Sequence, residues 1–383
     1  GISSWVPNHY KGGIKLPVRC RDIAELIESR APLKLSEEWD NVGLLLGSFE
    51  QEVKRIMVCV DVTSKIADEA VEKGIDLIVS HHPLIFKGLK RINKEDPKGK
   101  VIYRLIKNDI SVYSAHTNMD VAHGGVNDQL AEIIGLKDVK KLRNYKNEKL
   151  FKLVVFVPEQ SIDDVRDAMC KAGAGWIGNY SDCTFMAQGI GTFKPLKGAN
   201  PYIGKENKLE KVNEYRLETI VPESLLSNVV EAMIKAHPYE EVAYDIYMTE
   251  RSGQEYGMGK VGYLAQPLRP EEFIDTIKEK LKISAVKVIG TPPETISKVG
   301  VFCGSFDGDY TGILKEKTDV LVTGDIKYHT AVDMAEMGLY VIDAGHFNTE
   351  RIFTTAMVKL LHEAFQDVEV IASKVEKDPF IYS

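Results

Sequence analysis

The chain reads IDLIVSHHP at residues 75–83, where an apolar run ends in two adjacent histidines. A short apolar run of this kind is typical of a strand buried inside an α/β sheet. Pro83 favours a turn directly after the histidines. Because ligands bind beyond the carboxyl ends of strands in open α/β sheets, His81 and His82 are candidate site residues.

Two further polar patches also follow apolar runs. The chain reads SAHTNMD at 114–120 and DAGHFNTE at 343–350, and these patches contribute His116, Asp120, His346 and Glu350. We predict that Glu350 begins a helix over 350–365, with His346 one turn before it on the same face. The positive end of that helix would stabilise an ionised Glu350.

The regions around these patches alternate between strand and helix patterns. Strands are predicted at 55–62, 75–79, 110–113, 299–303, 319–323 and 339–342, and helices at 21–29, 64–73, 98–108, 271–281, 330–337 and 350–365. Such alternation is typical of an α/β domain with a mostly parallel sheet.

The middle of the chain contains an internal repeat. A predicted strand at 150–158 and helix at 162–171 recur 64 positions later: Leu153, Val157, Pro158, Glu159, Val165, Ala168, Met169, Lys171 and Ala172 match Leu217, Val221, Pro222, Glu223, Val229, Ala232, Met233, Lys235 and Ala236. Two strand–helix–strand units form a ferredoxin-like α+β domain. The Gly- and Lys-rich stretch 189–211 is predicted to be a mobile link between the halves.

The polar patches lie on both sides of this repeat, so the simplest organisation is an insertion. We predict a discontinuous α/β domain over 20–145 and 255–375, an inserted ferredoxin-like domain over 146–254, and an extension over 1–19. The first 16 residues lack the long apolar segment of a secretory signal.

Composition narrows the classes of partner. The net charge is −7 and no long basic stripe occurs, which argues against nucleic acid as the main partner. No apolar stretch approaches the roughly 20 residues that span a bilayer, which argues against a membrane protein. Five scattered cysteines without a C-x-x-C pair favour reduced thiols in the cytoplasm.

Histidines mixed with carboxylates favour a first-row divalent metal, with zinc as the first choice and iron, manganese, cobalt or nickel as alternatives. The set is large enough for two ions, which together can polarise a substrate oxygen and activate water for hydrolysis. His116 is a candidate ligand, general acid or base, or orienting residue. His329 is a candidate proton-transfer group, and Asp40 either supports a ligand or caps a turn. The sequence has no P-loop motif, no G-x-G-x-x-G fingerprint that follows a predicted strand, and no nucleophile elbow.

Together with WDNVGL at 39–44 and TGDIKYH at 323–329, these patches make the chain resemble the Nif-three-like dinuclear-metal family. Its members are often called GTP cyclohydrolase I type 2 homologs. The AHPYEE run at 236–241 is similar to the PII- or CutA-like domain inserted in the longer bacterial members. The resemblance covers nearly the whole chain after residue 20.

The resemblance implies that His82 and Asp120 hold one metal ion, that His81 and His346 hold the other, and that Glu350 bridges them. It also implies a homohexamer, a trimer of dimers, and a small-molecule substrate such as a nucleotide. The predicted activity is that of a metal-dependent hydrolase, with GTP cyclohydrolase as the implied reaction. A metal-dependent phosphohydrolase and a regulatory or metal-storing hexamer without turnover stay open as alternatives.

Overall fold

The structure is a computed structural model that describes residues 10, 11 and 14–381. Its strands, in chain order, are β1 (Tyr10–Lys11), β2 (Ile14–Lys15), β3 (Gly43–Leu46), β4 (Arg55–Cys59), β5 (Leu77–Ser80), β6 (Ser111–Ser114), β7 (Lys137–Pro158), β8 (Thr184–Phe193), β9 (Glu210–Pro222), β10 (Tyr244–Leu268), β11 (Lys287–Ile289), β12 (Ile296–Ser305), β13 (Val320–Gly324), β14 (Val341–Asp343) and β15 (Glu369–Ala372). Residues 1–9, 12 and 13 of the predicted extension lie outside the described residues.

The α-helices, in chain order, are α1 (Cys20–Arg30), α2 (Ser64–Glu72), α3 (Pro97–Lys107), α4 (Thr117–Val121), α5 (Val126–Ile134), α6 (Ile162–Lys171), α7 (Leu226–Ala236), α8 (Pro270–Leu281), α9 (Thr311–Glu316), α10 (Tyr328–Glu336), α11 (His346–Glu350) and α12 (Ile352–Ala364). None of the described helices is long and apolar enough to cross a membrane. The five cysteines are free thiols.

The chain forms two compact units. Lys146–Glu255 makes one, here called the inserted unit, and the described residues on either side of it make the other, here called the main unit. The fold is mixed α/β, which confirms the predicted class at that level.

The first sheet of the main unit has the order β15-β4-β5-β6-β3. The first four strands are parallel and β3 is antiparallel to β6, so the sheet is mixed. Cys59 is in register with Ser80, and Ser80 with Ser114. Because these carboxyl ends are level, the residues that follow them emerge side by side at one edge.

The second sheet of the main unit is also mixed. Its order is β11-β14-β13-β12-β10, in which β12, β13 and β14 are parallel and both β10 and β11 are antiparallel to their neighbours. In this second sheet only the three central strands are parallel, whereas the first sheet is parallel apart from β3, so both sheets are mixed and the first fits the expected mostly parallel arrangement better. Asp343 ends β14 and pairs with Thr323 of β13, so the 343–350 patch leaves from the carboxyl edge of this sheet.

The inserted unit repeats one succession of elements. β7 leads through a short 3-10 turn into α6, and β9 leads through a second such turn into α7. The matched repeat positions share one core: Leu153, Val165 and Met169 pack with Leu217, Val229 and Met233, all fully buried. Burial of each such side chain stabilises the unit by roughly 1.5–3 kcal/mol, which explains why the apolar spacing is kept in both halves.

One predicted loop begins later than expected. β8 runs through Gly189 and Gly191 to Phe193 and pairs in continuous antiparallel register with β9, up to Phe193 opposite Glu210. The prediction that the whole stretch 189–211 is a link was therefore wrong at its start. Pairing with a neighbouring strand outweighed the weak strand propensity of glycine.

Candidate metal centre

Residues from both sheets of the main unit meet at the carboxyl edges. His81 and His82 follow β5, and His116 begins α4 after β6. The His81 ring centroid lies 5.2 Å from those of both His82 and His116. From the second sheet, His346 brings its ring to 5.1 Å from that of His82.

Every histidine of this group donates a hydrogen bond from its Nδ1 atom. His81 donates to the Ala115 carbonyl at 2.9 Å, His82 to Asp61 at 2.8 Å, His116 to Asp40 at 2.9 Å and His346 to Asp325 at 2.8 Å. A carbonyl or carboxylate oxygen only accepts, so each Nδ1 carries the proton. The Nε2 atoms are then left with lone pairs, the form in which histidine binds a metal.

These Nε2 atoms lie close to two carboxylates. His82 Nε2 is 3.2 Å from His346 Nε2, and Glu350 Oε2 lies 2.9 and 3.0 Å from these two atoms. His81 Nε2 is 3.5 Å from Asp120 Oδ1 and 3.7 Å from Glu350 Oε1. Two sets of ligand atoms are compact enough for an ion: His82 with His346 and Glu350, and His81 with His82 and His116.

The donor atoms fit a cation. His81 Nε2, Asp120 Oδ1 and Glu350 Oε2 are buried, and none has a hydrogen-bond partner among the described residues. A buried polar atom without a partner costs on the order of 1–3 kcal/mol, and more if it is charged. His81 Nε2 and Asp120 Oδ1 lie 3.5 Å apart, and Glu350 Oε2 lies 2.9 and 3.0 Å from the Nε2 atoms of His82 and His346, so positive ions at these two places would satisfy all three atoms. The residues present could therefore hold a metal ion.

Gly304 leaves the space that this arrangement needs. A Cβ atom at this position would lie 2.0 Å from Glu350 Oε1 and 3.5 Å from His346 Nε2. The backbone also has φ of +66°, a conformation that side-chain-bearing residues rarely adopt. Both features favour glycine at the end of β12.

Protons occupy the cluster when no metal is bound. Burial would lower the pKa of His82, but the Asp61 and Glu350 carboxylates raise it to about 10. Burial would also lower the pKa of His346, but nearby carboxylates, chiefly Glu350, raise it to about 9. Burial would raise the pKa of Glu350, yet the charge of His81 and hydrogen bonds from the histidines hold it well below its usual range. Metal binding would displace the histidine protons.

The pKa values of two other carboxyl groups are shifted in opposite directions. Burial, reinforced by the negative charge of Glu350, raises the pKa of Asp120 to about 7. Burial would also raise the pKa of Asp40, but hydrogen bonds from His116 and Thr117 lower it to about 2. Asp40 is thus an ionised partner that orients His116, and it also accepts from the Asn41 backbone N–H at 2.8 Å, so it caps its turn as well.

The structure brings together six predicted residues, namely His81, His82, His116, Asp120, His346 and Glu350. Asp120 lies beside His81 and His346 lies beside His82, which suggests a different grouping from the one that the resemblance implied; the ligand pairing itself stays a prediction. His329 is not part of this cluster. It is exposed on α10, where its ring contacts Tyr328, and its proposed role in proton transfer stays a prediction.

Glu350 does not begin a helix as predicted. It is the last residue of α11, and α12 begins separately at Ile352. His346 and Glu350 still share one helical face, because both belong to α11. The charge of Glu350 is stabilised by the histidines, as its pKa indicates, and not by the start of a long helix.

Sequence reasoning missed two orienting carboxylates. Asp61 follows β4 at the same sheet edge as His81, so the rule that selected the histidines could have selected it. The backbone N–H groups of Val60 and Asp61 both donate to Glu376 Oε1, at 2.5 and 3.2 Å respectively. These hydrogen bonds fix the loop to the C-terminal segment. Asp325 belongs to the TGDIKYH run at 323–329, but only the fold shows that it accepts a hydrogen bond from His346.

Comparison with known proteins identifies relatives over almost the full length. The family model Duf34/NIF3 (NGG1p interacting factor 3) matches residues 18–379. A protein of Halalkalibacterium halodurans named GTP cyclohydrolase 1 type 2 homolog is 43% identical over 364 residues, which are 94% of this chain and 98% of that protein. A Bacillus subtilis protein of the same name is 43% identical, with 95% of this chain and 99% of that protein covered.

A solved structure shows the same fold. The crystal structure of a Bacillus cereus protein related to NIF3 superposes with a TM-score of 0.87 at 41% identity, over 96% of this chain and 99% of that one. A Staphylococcus aureus protein, SA1388, gives a TM-score of 0.76 at 30% identity, over 96% of this chain and 99% of that one.

Proposed function

Because the chain belongs to the Duf34/NIF3 family, we propose that it is a metal-dependent hydrolase with a dinuclear metal centre. The observation that carries the proposal is the group of buried, unpartnered atoms of His81, Asp120 and Glu350 beside the close His82–His346 pair. His82, His346 and Glu350 Oε2 would hold one ion. His81, Asp120 and Glu350 Oε1 would hold the other.

The ligand types favour zinc, with iron, manganese, cobalt or nickel as alternatives. Two bound ions would polarise a substrate oxygen and activate water for hydrolysis. Asp61, Asp325 and the Ala115 carbonyl keep the imidazole rings oriented. His116, held at Nδ1 by Asp40, would move a proton at its Nε2 atom.

A cavity beside the cluster favours an anionic substrate. It has a volume of about 1130 Å³, and His82 and Asp61 form part of its wall. Four exposed lysines also line it: Lys65, Lys98, Lys374 and Lys377. They outnumber the three carboxylates of the same wall, Asp61, Glu376 and Asp378, and none of them forms an ion pair with a carboxylate that the structure describes, so they can attract phosphate groups.

The implied substrate is GTP. Relatives named GTP cyclohydrolase 1 type 2 homolog support this choice, and so do the lysines around the cavity. In that reaction the purine ring is opened by hydrolysis and formate is released. The same lysines favour phosphoester hydrolysis as the second candidate, because both substrates carry phosphate. The non-enzymatic alternative is a regulatory or metal-storing protein without turnover.

Three further proposals complete this assignment. The inserted unit would be a ferredoxin-like, PII- or CutA-like domain, which its repeated strand–turn–helix core supports. The protein would act as a homohexamer, a trimer of dimers. It would work in the cytoplasm, which suits its five free thiols.

Product analysis tests the activity. The full-length protein, loaded with zinc, is incubated with GTP and the products are measured by mass spectrometry, beside Glu350→Gln. Glu363→Gln is the matched control, because Glu363 is exposed on the neighbouring helix α12. Metal content per chain is measured on the same samples. We expect two tightly bound ions in the wild type and the control, and fewer in Glu350→Gln.

Formate and a ring-opened product that disappear only in Glu350→Gln would support the cyclohydrolase activity. Release of phosphate alone, with the same dependence on Glu350, would assign a phosphohydrolase. Absence of any product sensitive to Glu350→Gln would contradict the hydrolase proposal for GTP and favour the regulatory alternative. At most one tightly bound ion per chain would contradict the dinuclear centre.

A further inference from the structure

The inserted unit contains a cavity of about 660 Å³ that no part of the proposed reaction uses. It lies over the paired strands β8 and β9, and loop residues around 194–203 and 239–243 close its sides. Most of its wall is apolar or aromatic, with Phe193, Tyr202 and Tyr239 among the lining residues. A volume of this size is ordinary for a small-molecule site.

Glu214 of β9 is the unusual residue in this wall. It is only 8% exposed, yet no lysine, arginine or histidine nitrogen described in the structure lies within ion-pair distance of its carboxylate. Its one direct hydrogen bond comes from the Tyr239 hydroxyl, which donates to Oε1 at 2.9 Å. A buried carboxylate is normally paired with a cation, because desolvating it alone is costly.

The strand opposite leaves room for this carboxylate. A Cβ atom at Gly191 of β8 would lie 1.9 Å from Glu214 Oε2, so any larger residue would displace the carboxylate from its position. Oε2 receives no side-chain hydrogen bond from the described residues. Glu214 therefore keeps one oxygen available at the cavity.

Aromatic rings pack around the ring of Tyr239, the residue whose hydroxyl contacts Glu214. The Tyr239 ring centroid lies 5.8 Å from that of Phe193, 6.2 Å from that of Tyr202 and 5.0 Å from that of His237. His237 Nε2 donates to the Phe156 carbonyl at 3.0 Å, and its Nδ1 accepts from the Tyr239 backbone N–H at 3.1 Å. A neutral, fixed His237 thus holds Tyr239 in place and supplies no positive charge to Glu214.

We propose that this cavity binds a small organic cation, with its positive group against Glu214 and its apolar body between the aromatic rings. The carboxylate would gain the charged partner that the protein does not provide. The faces of Tyr202, Tyr239 and Phe193 would add cation–π attraction, worth roughly 0.5–2 kcal/mol for each well-placed ring. The site lies entirely within the inserted unit and does not depend on the metal centre or its reaction.

Calorimetric titration of the full-length protein tests this site. The probes are benzamidinium, choline and agmatine, with benzamide as the uncharged analogue of benzamidinium. At least one cation is expected to bind the wild type, and Glu214→Gln should weaken it by about tenfold or more, since the variant keeps the shape and removes the charge. Glu231→Gln is the matched control on α7, where the residue is exposed and outside the cavity.

A second variant covers the case in which Glu214→Gln does not fold. Tyr202→Ala removes an aromatic wall from a residue that is 56% exposed, so folding should be unaffected while cation binding weakens. The proposal is overturned if none of the three cations binds, if benzamide binds as tightly as benzamidinium, or if folded Glu214→Gln binds them like the wild type. Equal weakening by Glu231→Gln would also overturn it, because the effect would then be one of overall charge.

Discussion

At the scale of single residues, orientation decides what the histidine cluster can do. Three aspartates and one backbone carbonyl accept from Nδ1, so all the imidazoles present Nε2 to the same space. The sequence was sufficient to predict which residues meet in this cluster, because each of them comes after a predicted strand. It could not predict which side chains are neighbours, since that depends on side-chain directions set by the fold. Asp120 lies beside His81 and His346 beside His82.

Gly304→Ala should empty the metal centre. The added methyl group would overlap Glu350 Oε1 and would force the carboxylate away from the histidines. We expect a large fall in bound metal per chain, measured by elemental analysis after gel filtration. Gly308→Ala is the matched control, because Gly308 also has a positive φ, +85°, but has nothing within 4 Å of the added Cβ. Equal metal loss in both variants would mean that backbone strain, and not the contact with Glu350, is the cause.

Asp61→Asn should weaken metal binding without removing a ligand. The amide cannot hold the His82 Nδ1 proton as the carboxylate does, so the ring loses its fixed orientation and basicity. Affinity should fall by about 10–100-fold, measured by competition with a chromophoric chelator. Asp68→Asn, an exposed change on α2, should leave affinity unaltered. Wild-type affinity in Asp61→Asn would show that the orienting bond is dispensable.

At the scale of helices and strands, short apolar runs were predictable and long strands were not. The strand at 75–79 appears as β5 (Leu77–Ser80), and the helix at 162–171 has the bounds of α6. By contrast, β7 begins at Lys137, 13 residues before the strand predicted from Leu150. β10 runs for 25 residues and carries five charged side chains between Asp245 and Lys260. Pairing with neighbouring strands specifies such segments, so local hydrophobicity does not reveal them.

The two halves of the inserted unit should be equally sensitive to core truncation. Met169→Ala and Met233→Ala each remove a fully buried side chain at matched repeat positions, and each should cost about 2–5 kcal/mol. Hydrogen exchange of the slowest amides in Lys146–Glu255, within the full-length protein, measures this cost. Met248→Ala is the control, because Met248 is 67% exposed. A loss confined to one variant would contradict the equivalence of the two halves.

At the scale of the whole molecule, the sequence predicts an inserted domain because the repeat interrupts the spacing of the polar patches, and the chain divides into compact units at Lys146 and Glu255. Assembly was not readable from spacing, and the hexamer came from the resemblance alone. The main unit offers one feature in its support. Trp39 and Phe86 are exposed apolar side chains whose rings lie 5.7 Å apart, and Leu89 and Ile92, a few residues further along the chain, are exposed too. Contiguous exposed apolar surface is typical of protein interfaces.

Phe86→Ser should therefore reduce the oligomeric state. Phe86 is 44% exposed, so the change should leave the fold of a single chain intact while it removes apolar contact area. Light scattering during gel filtration should give six copies for the wild type and a smaller assembly for the variant. Phe185→Ser, on a residue that is 64% exposed in the inserted unit, provides the comparison. A monomeric wild-type protein would contradict the hexamer directly.

The inserted unit also divides the candidate metal ligands along the chain. His81, His82 and Asp120 precede it, whereas His346 and Glu350 follow it. Because a ribosome makes the chain from its N-terminus, the first ligands emerge long before their partners exist. The nascent protein thus cannot assemble the full ligand set until the inserted unit has been synthesised and the last strands have joined the second sheet. Synthesis arrested inside the inserted unit would leave an incomplete set of ligands. Metal loading would therefore be a late step in the biosynthesis of this protein.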